Sequence, residues 1–267
     1  MKDLRTRMES YERVYDNIVV SETPLLIRVD GRAFHTFTKG FDKPFDRIFT
    51  ETMQETMKYL CENIGNTVLG YTQSDEITIV VYAYHTDDWF SNRLEKIVSL
   101  SAAMATFQFN KIFKEKVDSV LEDIDESTSK RAKAYRKAIE TGGLFDARVM
   151  TVPLEDVNNA LIYRQSDAVR NSISTLAQSI YKQSELKGVN KNQLQDKMFT
   201  EHGVNWNNYP TEVKRGSCCI KVPVEVANGV IRNKWVIDRE IPTFSVDRDY
   251  VNSRLKAKQE EADKKKR

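Results

Sequence analysis

Apolar positions change their period several times along this chain, and each change predicts an element. Pro24 precedes Leu25-Leu26-Ile27-Arg28-Val29-Asp30, a β-rich run that reads as a strand stopping at Gly31. After a loop punctuated by Gly40 and Pro44, the residues Ile48, Met53, Met57, Leu60 and Ile64 recur at helical spacing, with Gly65 as the stop. Thr67-Val68-Leu69-Gly70-Tyr71 and Ile77 to Tyr82 read as two further strands. The connector between them, Thr72-Gln73-Ser74-Asp75-Glu76, is short enough for an antiparallel hairpin. A second helix is predicted from about Asn92 to Phe113, with Leu94, Ile97, Val98 and Met104 on one face, and a fourth strand from Leu144 to Val152.

Strand, helix, strand, strand, helix, strand is the order of the split βαβ, ferredoxin-like arrangement, in which helices cover one face of an antiparallel sheet. Residues from about Leu154 to Lys187 read as mostly helical, and 214–241 as a hairpin around Asn228-Gly229. The predicted class is therefore α+β. A sheet core over 1–150 is followed by a helical and hairpin region over 151–253 and a charged tail over 254–267.

Composition narrows this picture. The chain has 267 residues, 40% of them hydrophobic and 30% charged, which is enough to bury a core. Its apolar runs are far shorter than the roughly 20 residues of a membrane span, and Met1 to Glu9 hold no signal-peptide core. The expectation is a cytoplasmic protein with reduced thiols at Cys61, Cys218 and Cys219, the last two pointing to opposite faces of one strand. His35, His85 and His202 have no zinc-ligand spacing. The net charge of +2 decides nothing about partners, but its distribution is uneven. Lys130, Arg131, Lys133, Arg136 and Lys137 put five cations within eight residues, after an acidic stretch with Glu122, Asp123, Asp125 and Glu126. Such a cluster is either a solvated face or a set of contacts to nucleic-acid phosphates.

Two carboxylates carry the candidate chemistry. Asp30 ends the first strand and Asp75 lies in the central hairpin turn. The first and third strands are neighbours in a split βαβ sheet, so the two converge at one edge although 45 residues separate them. Two hard oxygen ligands with open positions suit Mg²⁺ when substrate phosphates complete the shell. Equally, Asp30 ends a strand and Asp75 is an ordinary turn former. Gly31 leaves room for the backbone to approach a metal or phosphate. Glu76 could join the same cluster, but on a strand it faces away from its neighbour, so ligation and a supporting or fold role both stay open. Ser74 caps the turn or donates to a phosphate. Lys43 is a cation near the same edge, and Arg148 within a strand needs an anionic partner or a solvent face.

The motifs Arg28-Val29-Asp30-Gly31-Arg32-Ala33-Phe34-His35, Phe41-Asp42-Lys43-Pro44 and Gly70-Tyr71-Thr72-Gln73-Ser74-Asp75-Glu76 resemble, in this order, the tRNA-histidine guanylyltransferase family. Phe145-Asp146-Ala147-Arg148-Val149, Tyr163 to Asp167, Asn205 to Asn208 and Lys214-Arg215-Gly216 extend the resemblance over most of the chain. It is most similar to the guanylyltransferase-like branch, the 3′-to-5′ tRNA polymerases. The resemblance implies a polymerase-like palm, two Mg²⁺ ions on Asp30, the Gly31 carbonyl and Asp75, and ATP and GTP or other nucleoside triphosphates as substrates. The nucleotide would lie along Asp30, Gly31, Arg32, Ala33, Phe34 and His35 and against Ser74 and Asp75, with Lys43 and Arg148 serving triphosphates or the activated tRNA end. It also implies tRNA as partner, with Lys130, Arg131, Lys133, Arg136 and Lys137 as candidate contacts, and a homo-tetramer.

This chain departs from the guanylyltransferases proper at three places. Asp146-Ala147-Arg148 stands for Asp-Gly-Arg, Lys43-Pro44-Phe45-Asp46 for Lys-Pro-Asn-Asp, and Val169-Arg170-Asn171-Ser172 for a histidine followed by two asparagines. The expected function is template-dependent addition of nucleotides to the 5′ end of tRNA, repairing truncated tRNA. The alternatives are addition of the extra 5′ guanosine to tRNA-histidine, a palm-fold nucleotide cyclase, and an RNA-binding module without catalysis.

Overall fold

The computed structural model describes residues 3–82, 89–122, 129–226 and 230–265. His85, the acidic residues Asp123, Asp125 and Glu126, and the Asn228-Gly229 turn lie outside them. In chain order the elements are α1 (Leu4–Glu12), β1 (Leu25–Gly31), α2 (Phe34–Phe37), α3 (Arg47–Asn63), β2 (Thr67–Gln73), β3 (Glu76–Val81), α4 (Leu94–Leu121), α5 (Lys130–Thr141) and β4 (Phe145–Thr151). There follow α6 (Val157–Ile180), α7 (Gln183–Leu186), α8 (Lys191–His202), α9 (Thr211–Arg215), β5 (Ser217–Val226), β6 (Val230–Asp238) and α10 (Asp249–Lys265).

The strands form one sheet in the order β4-β1-β3-β2-β5-β6, with every pair antiparallel. The first four are the predicted split βαβ. The predicted hairpin pairs with β2 and extends that sheet, Tyr71 standing opposite Cys218 and Gly70 opposite Cys219.

Alternation along the strands separates two cores. Leu25, Ile27 and Val29 of β1 and Ile77, Ile79 and Val81 of β3 face α3 and α4, where Met53, Met57, Leu60, Phe109 and Phe113 are buried. Helix α3 begins where Asp46 accepts the Phe49 N–H at 2.9 Å, a side-chain cap. Helix α4 is longer than the pattern predicts, and its buried stripe is Ile97, Ser101, Ala105, Phe109, Phe113 and Val117. Of the predicted face only Ile97 is buried; Leu94, Val98 and Met104 are half-buried. Small residues at 101 and 105 let the helix approach the sheet, so size as well as hydropathy selects the inner face.

The opposite face is covered too, which corrects the expectation of helices on one side only. Leu26, Val80, Tyr71, Cys218 and Ile220 pack against Val157 and Leu161 of α6 and Val251 and Leu255 of α10. The predicted tail from Arg254 is thus the body of a helix that starts at Asp249 and buries Leu255. Its charges obscure the pattern because only one residue per turn is inward. A third cluster joins the end of α6 to α8 through Ile173, Leu176, Tyr181, Leu194 and Met198. None of the described helices is long and apolar enough to cross a membrane.

Candidate active site

Antiparallel pairing of β1 and β3 sets Asp30 opposite Glu76, and the Gly31 N–H donates to the Asp75 carbonyl at 3.0 Å. The two predicted carboxylates therefore meet at one end of the sheet. Burial pushes the Asp75 carboxyl above its ordinary value, and the nearby charge of Asp30 pushes it the same way; a Ser74 hydrogen bond and His35 oppose this. Asp75 is thus a half-buried anion beside another anion, an arrangement that a cation relieves. Among the described residues no three His, Cys, Asp or Glu side chains converge on one point. What the chain offers is a pair, which fits a hard divalent ion that takes its remaining oxygens from backbone, water and phosphate.

Glu76 behaves differently from its neighbour. It is 4% exposed and points to the α6 side of the sheet, where Arg164 Nε reaches its Oε1 at 2.7 Å and Arg164 Nη2 its Oε2. Arg164 Nη1 also lies 2.8 Å from Asp167 Oδ2. Across β4-β1-β3, Asp146, Asp30 and Glu76 form one rung of carboxylates, with Arg148, Arg28 and Thr78 on the same face two residues along. Arg148 sits between, 3.5 Å from Asp146 and 3.9 Å from Asp30. A guanidinium on this strand thus has anionic partners, as its position required, and more than half its side chain remains exposed.

Next to the carboxylates opens a cavity of about 610 Å³. Gly31, Ala33, Phe34, His35, Lys43, Ser74 and Asp75 border it, whereas Asp30, Arg32 and Arg148 are not in its wall. Arg32 is exposed, and its backbone N–H is spent on the Leu144 carbonyl at 2.8 Å. Phe34 contributes less than its position suggests, because its ring is 3% exposed and packs among Phe37, Phe49, Phe109 and Phe145. That ring also explains Gly31. A Cβ there would lie 2.5 Å from Phe34, so the glycine admits the aromatic ring and through it fixes the turn into Ala33, whose φ is +56°.

The basic cluster divides into two sets. Arg131 pairs with Asp42 at 2.8 Å and Arg136 with Asp118, so these two hold the fold. Lys130, Lys133 and Lys137 are exposed, follow one another at helical spacing and have no ion pair among the described residues. They form the part of the cluster free to meet phosphates.

Sequence reasoning reached only Asn171 and Ser172 of the cavity's far wall, in the segment that departs from the guanylyltransferases proper, and missed the rest. Ala168, Asn171, Ser172, Thr175, Gln178 and Ser179 of α6 line this wall, uncharged and largely polar. Their three- and four-residue spacing on an amphipathic helix is the signal that marks this face. Ser172 accepts the Trp206 indole N–H at 3.0 Å and donates to the Lys214 carbonyl at 3.0 Å, tying α6 to α9. Val169 packs on the third apolar cluster.

Solved structures share this fold. A bacterial tRNA(His) guanylyltransferase-like protein in complex with ATP is 38% identical, with a TM-score of 0.79 over 95% of this chain and 99% of that one. Such a protein in complex with GTP is 36% identical, with a TM-score of 0.76 over the same shares. The tRNA(His) guanylyltransferase of Saccharomyces cerevisiae is 26% identical over 75% of this chain and 84% of its own length. Fold and site together define a nucleotidyltransferase. Residues 5–153 match the sequence profile described as tRNAHis guanylyltransferase, and the chain belongs to that family.

Proposed function

We propose that this protein adds nucleotides to the 5′ end of tRNA in the 3′-to-5′ direction, directed by the opposing strand of the acceptor stem, and so repairs 5′-truncated tRNA. The observation that carries this reading is the Asp30–Asp75 pair beside a cavity bordered by Lys43 and His35. The likeness to guanylyltransferase-like proteins holding ATP and GTP supports nucleoside triphosphates as the cavity's ligands.

In this reading Asp30, Asp75 and the Gly31 carbonyl would hold two Mg²⁺ ions. When bound, such ions neutralise phosphate charge and lower the pKa of an attacking hydroxyl. The chain's own residues do the positioning. Lys43 places an ammonium over the cavity for the triphosphate, and the uncharged α6 wall supplies donors and acceptors for base and ribose. Arg148, held only by partly exposed carboxylates, is free to turn toward the phosphates of the tRNA end. The family chemistry first activates the 5′-monophosphate with ATP. That step joins AMP to the 5′-phosphate and releases pyrophosphate; the 3′-hydroxyl of the incoming nucleotide then attacks the same 5′-phosphate, forming the new phosphodiester and expelling AMP. Positioning and electrostatics suffice for such transfers without a covalent protein intermediate.

Val169 favours repair over tRNA-histidine identity. Where the guanylyltransferases proper carry a histidine, this side chain serves an apolar cluster and offers no hydrogen bond for reading a particular tRNA. The names of the curated relatives favour the alternative of adding one guanosine to tRNA-histidine. A single-turnover comparison of a 5′-truncated non-histidine tRNA with an intact tRNA-histidine lacking its extra guanosine separates the two. The repair reading predicts faster addition to the truncated substrate; clear preference for the second contradicts it.

The lysine stripe of α5 is the proposed tRNA contact. Replacing Lys130, Lys133 and Lys137 together by glutamine should weaken tRNA binding and reduce the slope of log K against log salt by roughly 0.7–0.9 per lost phosphate contact. An unchanged slope would make the stripe a solvated face. Buried free thiols at Cys61, Cys218 and Cys219 support a reducing, cytoplasmic setting. Helix α1 buries none of its residues and exposes Leu4, Met8 and Tyr11, which supports assembly with further copies of the chain.

A further inference from the structure

The loop that carries Lys43 to the cavity is held from behind by one face of α5. The Tyr135 hydroxyl donates to Asp46 Oδ2 at 2.6 Å, and the Asp42 backbone N–H reaches the same oxygen at 3.0 Å. Asp42 Oδ2 lies 2.8 Å from Arg131 Nη1, and Arg131 Nε donates to the Tyr135 oxygen at 3.2 Å. The Phe41 ring meets Tyr135 edge-on at 4.8 Å, and a Cβ at Gly40 would come within 2.9 Å of Ala134. Residues 40–42 and Asp46 are thereby clamped to α5, and Lys43, Pro44 and Phe45 span the interval at the cavity wall, Phe45 resting on Tyr209. Among the described residues Lys43 has no hydrogen bond or ion pair of its own. Its placement therefore comes from the clamp on either side.

We infer that Tyr135 and Arg131 are positioning residues for nucleotide binding: they hold the 40–46 loop so that the Lys43 ammonium meets the triphosphate of a nucleoside triphosphate. The inference rests on the proposed reading of the cavity as a triphosphate site. The Tyr135 hydroxyl is well suited to this task. Its side chain is fully buried, and among the described residues its oxygen bonds only to Asp46 and Arg131. A phenylalanine ring would fill the same space, so the hydroxyl itself is spent on the loop. Arg131 and Tyr135 stand one turn apart on the inner face of α5, while Lys130, Lys133 and Lys137 occupy its exposed face.

The test is equilibrium binding of a non-hydrolysable ATP analogue with Mg²⁺ to the full chain and to Lys43→Ala, Tyr135→Phe, Arg131→Met and the Lys43→Ala/Tyr135→Phe double variant. Removing the lysine should weaken binding about tenfold. Tyr135→Phe and Arg131→Met should each weaken it about fivefold. The double variant should bind no more weakly than Lys43→Ala alone, because the tyrosine acts through the lysine. Arg131→Met guards against misfolding, since that side chain is partly exposed and its loss leaves the core intact. Wild-type affinity in Tyr135→Phe and Arg131→Met, with Lys43→Ala impaired, overturns the positioning role alone. Full additivity in the double variant overturns it as well. Unimpaired binding in Lys43→Ala overturns the triphosphate site and the positioning role together.

Discussion

Asp75→Ala and Asp30→Ala each abolish nucleotide addition on this account while leaving the protein folded. Loss of one charged oxygen ligand from a divalent-ion pair removes several kcal/mol of transition-state stabilisation, and about 4 kcal/mol corresponds to roughly a thousandfold in rate. The fold is expected to tolerate both changes. Burial and the charge of Asp30 raise the Asp75 carboxyl pKa, so holding this carboxylate charged costs the folded state some stability. Alanine removes that penalty. Asp30 is about one-third exposed, and Arg148 keeps Asp146 as a partner when it is lost. The check is single-turnover rate at saturating Mg²⁺ beside a urea melt. Near-native turnover in either variant would remove that residue from the site.

Glu76, adjacent in sequence, is predicted to do the opposite. Arg164→Met should cost about 3 kcal/mol in a urea melt, at the low end for a broken buried ion pair because Arg164 retains some exposure. It leaves Glu76 buried and uncompensated under the sheet. Adding Glu76→Gln should recover part of the loss, since the worst state is one buried charge without its partner. If Arg164→Met melts like the wild type and instead shifts the Mg²⁺ requirement, Glu76 belongs to the ion site and not to the fold.

These two neighbours show how much of the site the sequence made legible. The period-two rule left Glu76 open between a supporting role and ligation, and only the placement of Arg164 against it, 88 residues away in sequence, ties it to the α6 side of the sheet. Strand order brought Asp30 to Asp75, because a split βαβ sheet makes the first and third strands neighbours. Beyond Asn171 and Ser172, the α6 wall was not legible, since a polar stripe on a helix reads equally as solvated surface until the helix is placed beside a cavity. Leu255 illustrates the same limit in reverse: one apolar residue per turn in a charged stretch reads as a tail unless the sheet face it covers is known. The division of the α5 cations followed from partners, Asp42 and Asp118, that lie far away in sequence and carry no local signal.

The central claim is that the opposing strand directs addition, and one measurement tests it most directly. A 5′-truncated tRNA is incubated with Mg²⁺ and all four nucleoside triphosphates, and the first added nucleotide is identified for four versions differing only in the base opposite the vacant position. The account predicts that the added nucleotide changes with that base, pairing with it each time, because an A-form stem offers side chains little sequence to read and base pairing must supply the choice. Addition of guanosine to all four versions alike would contradict it.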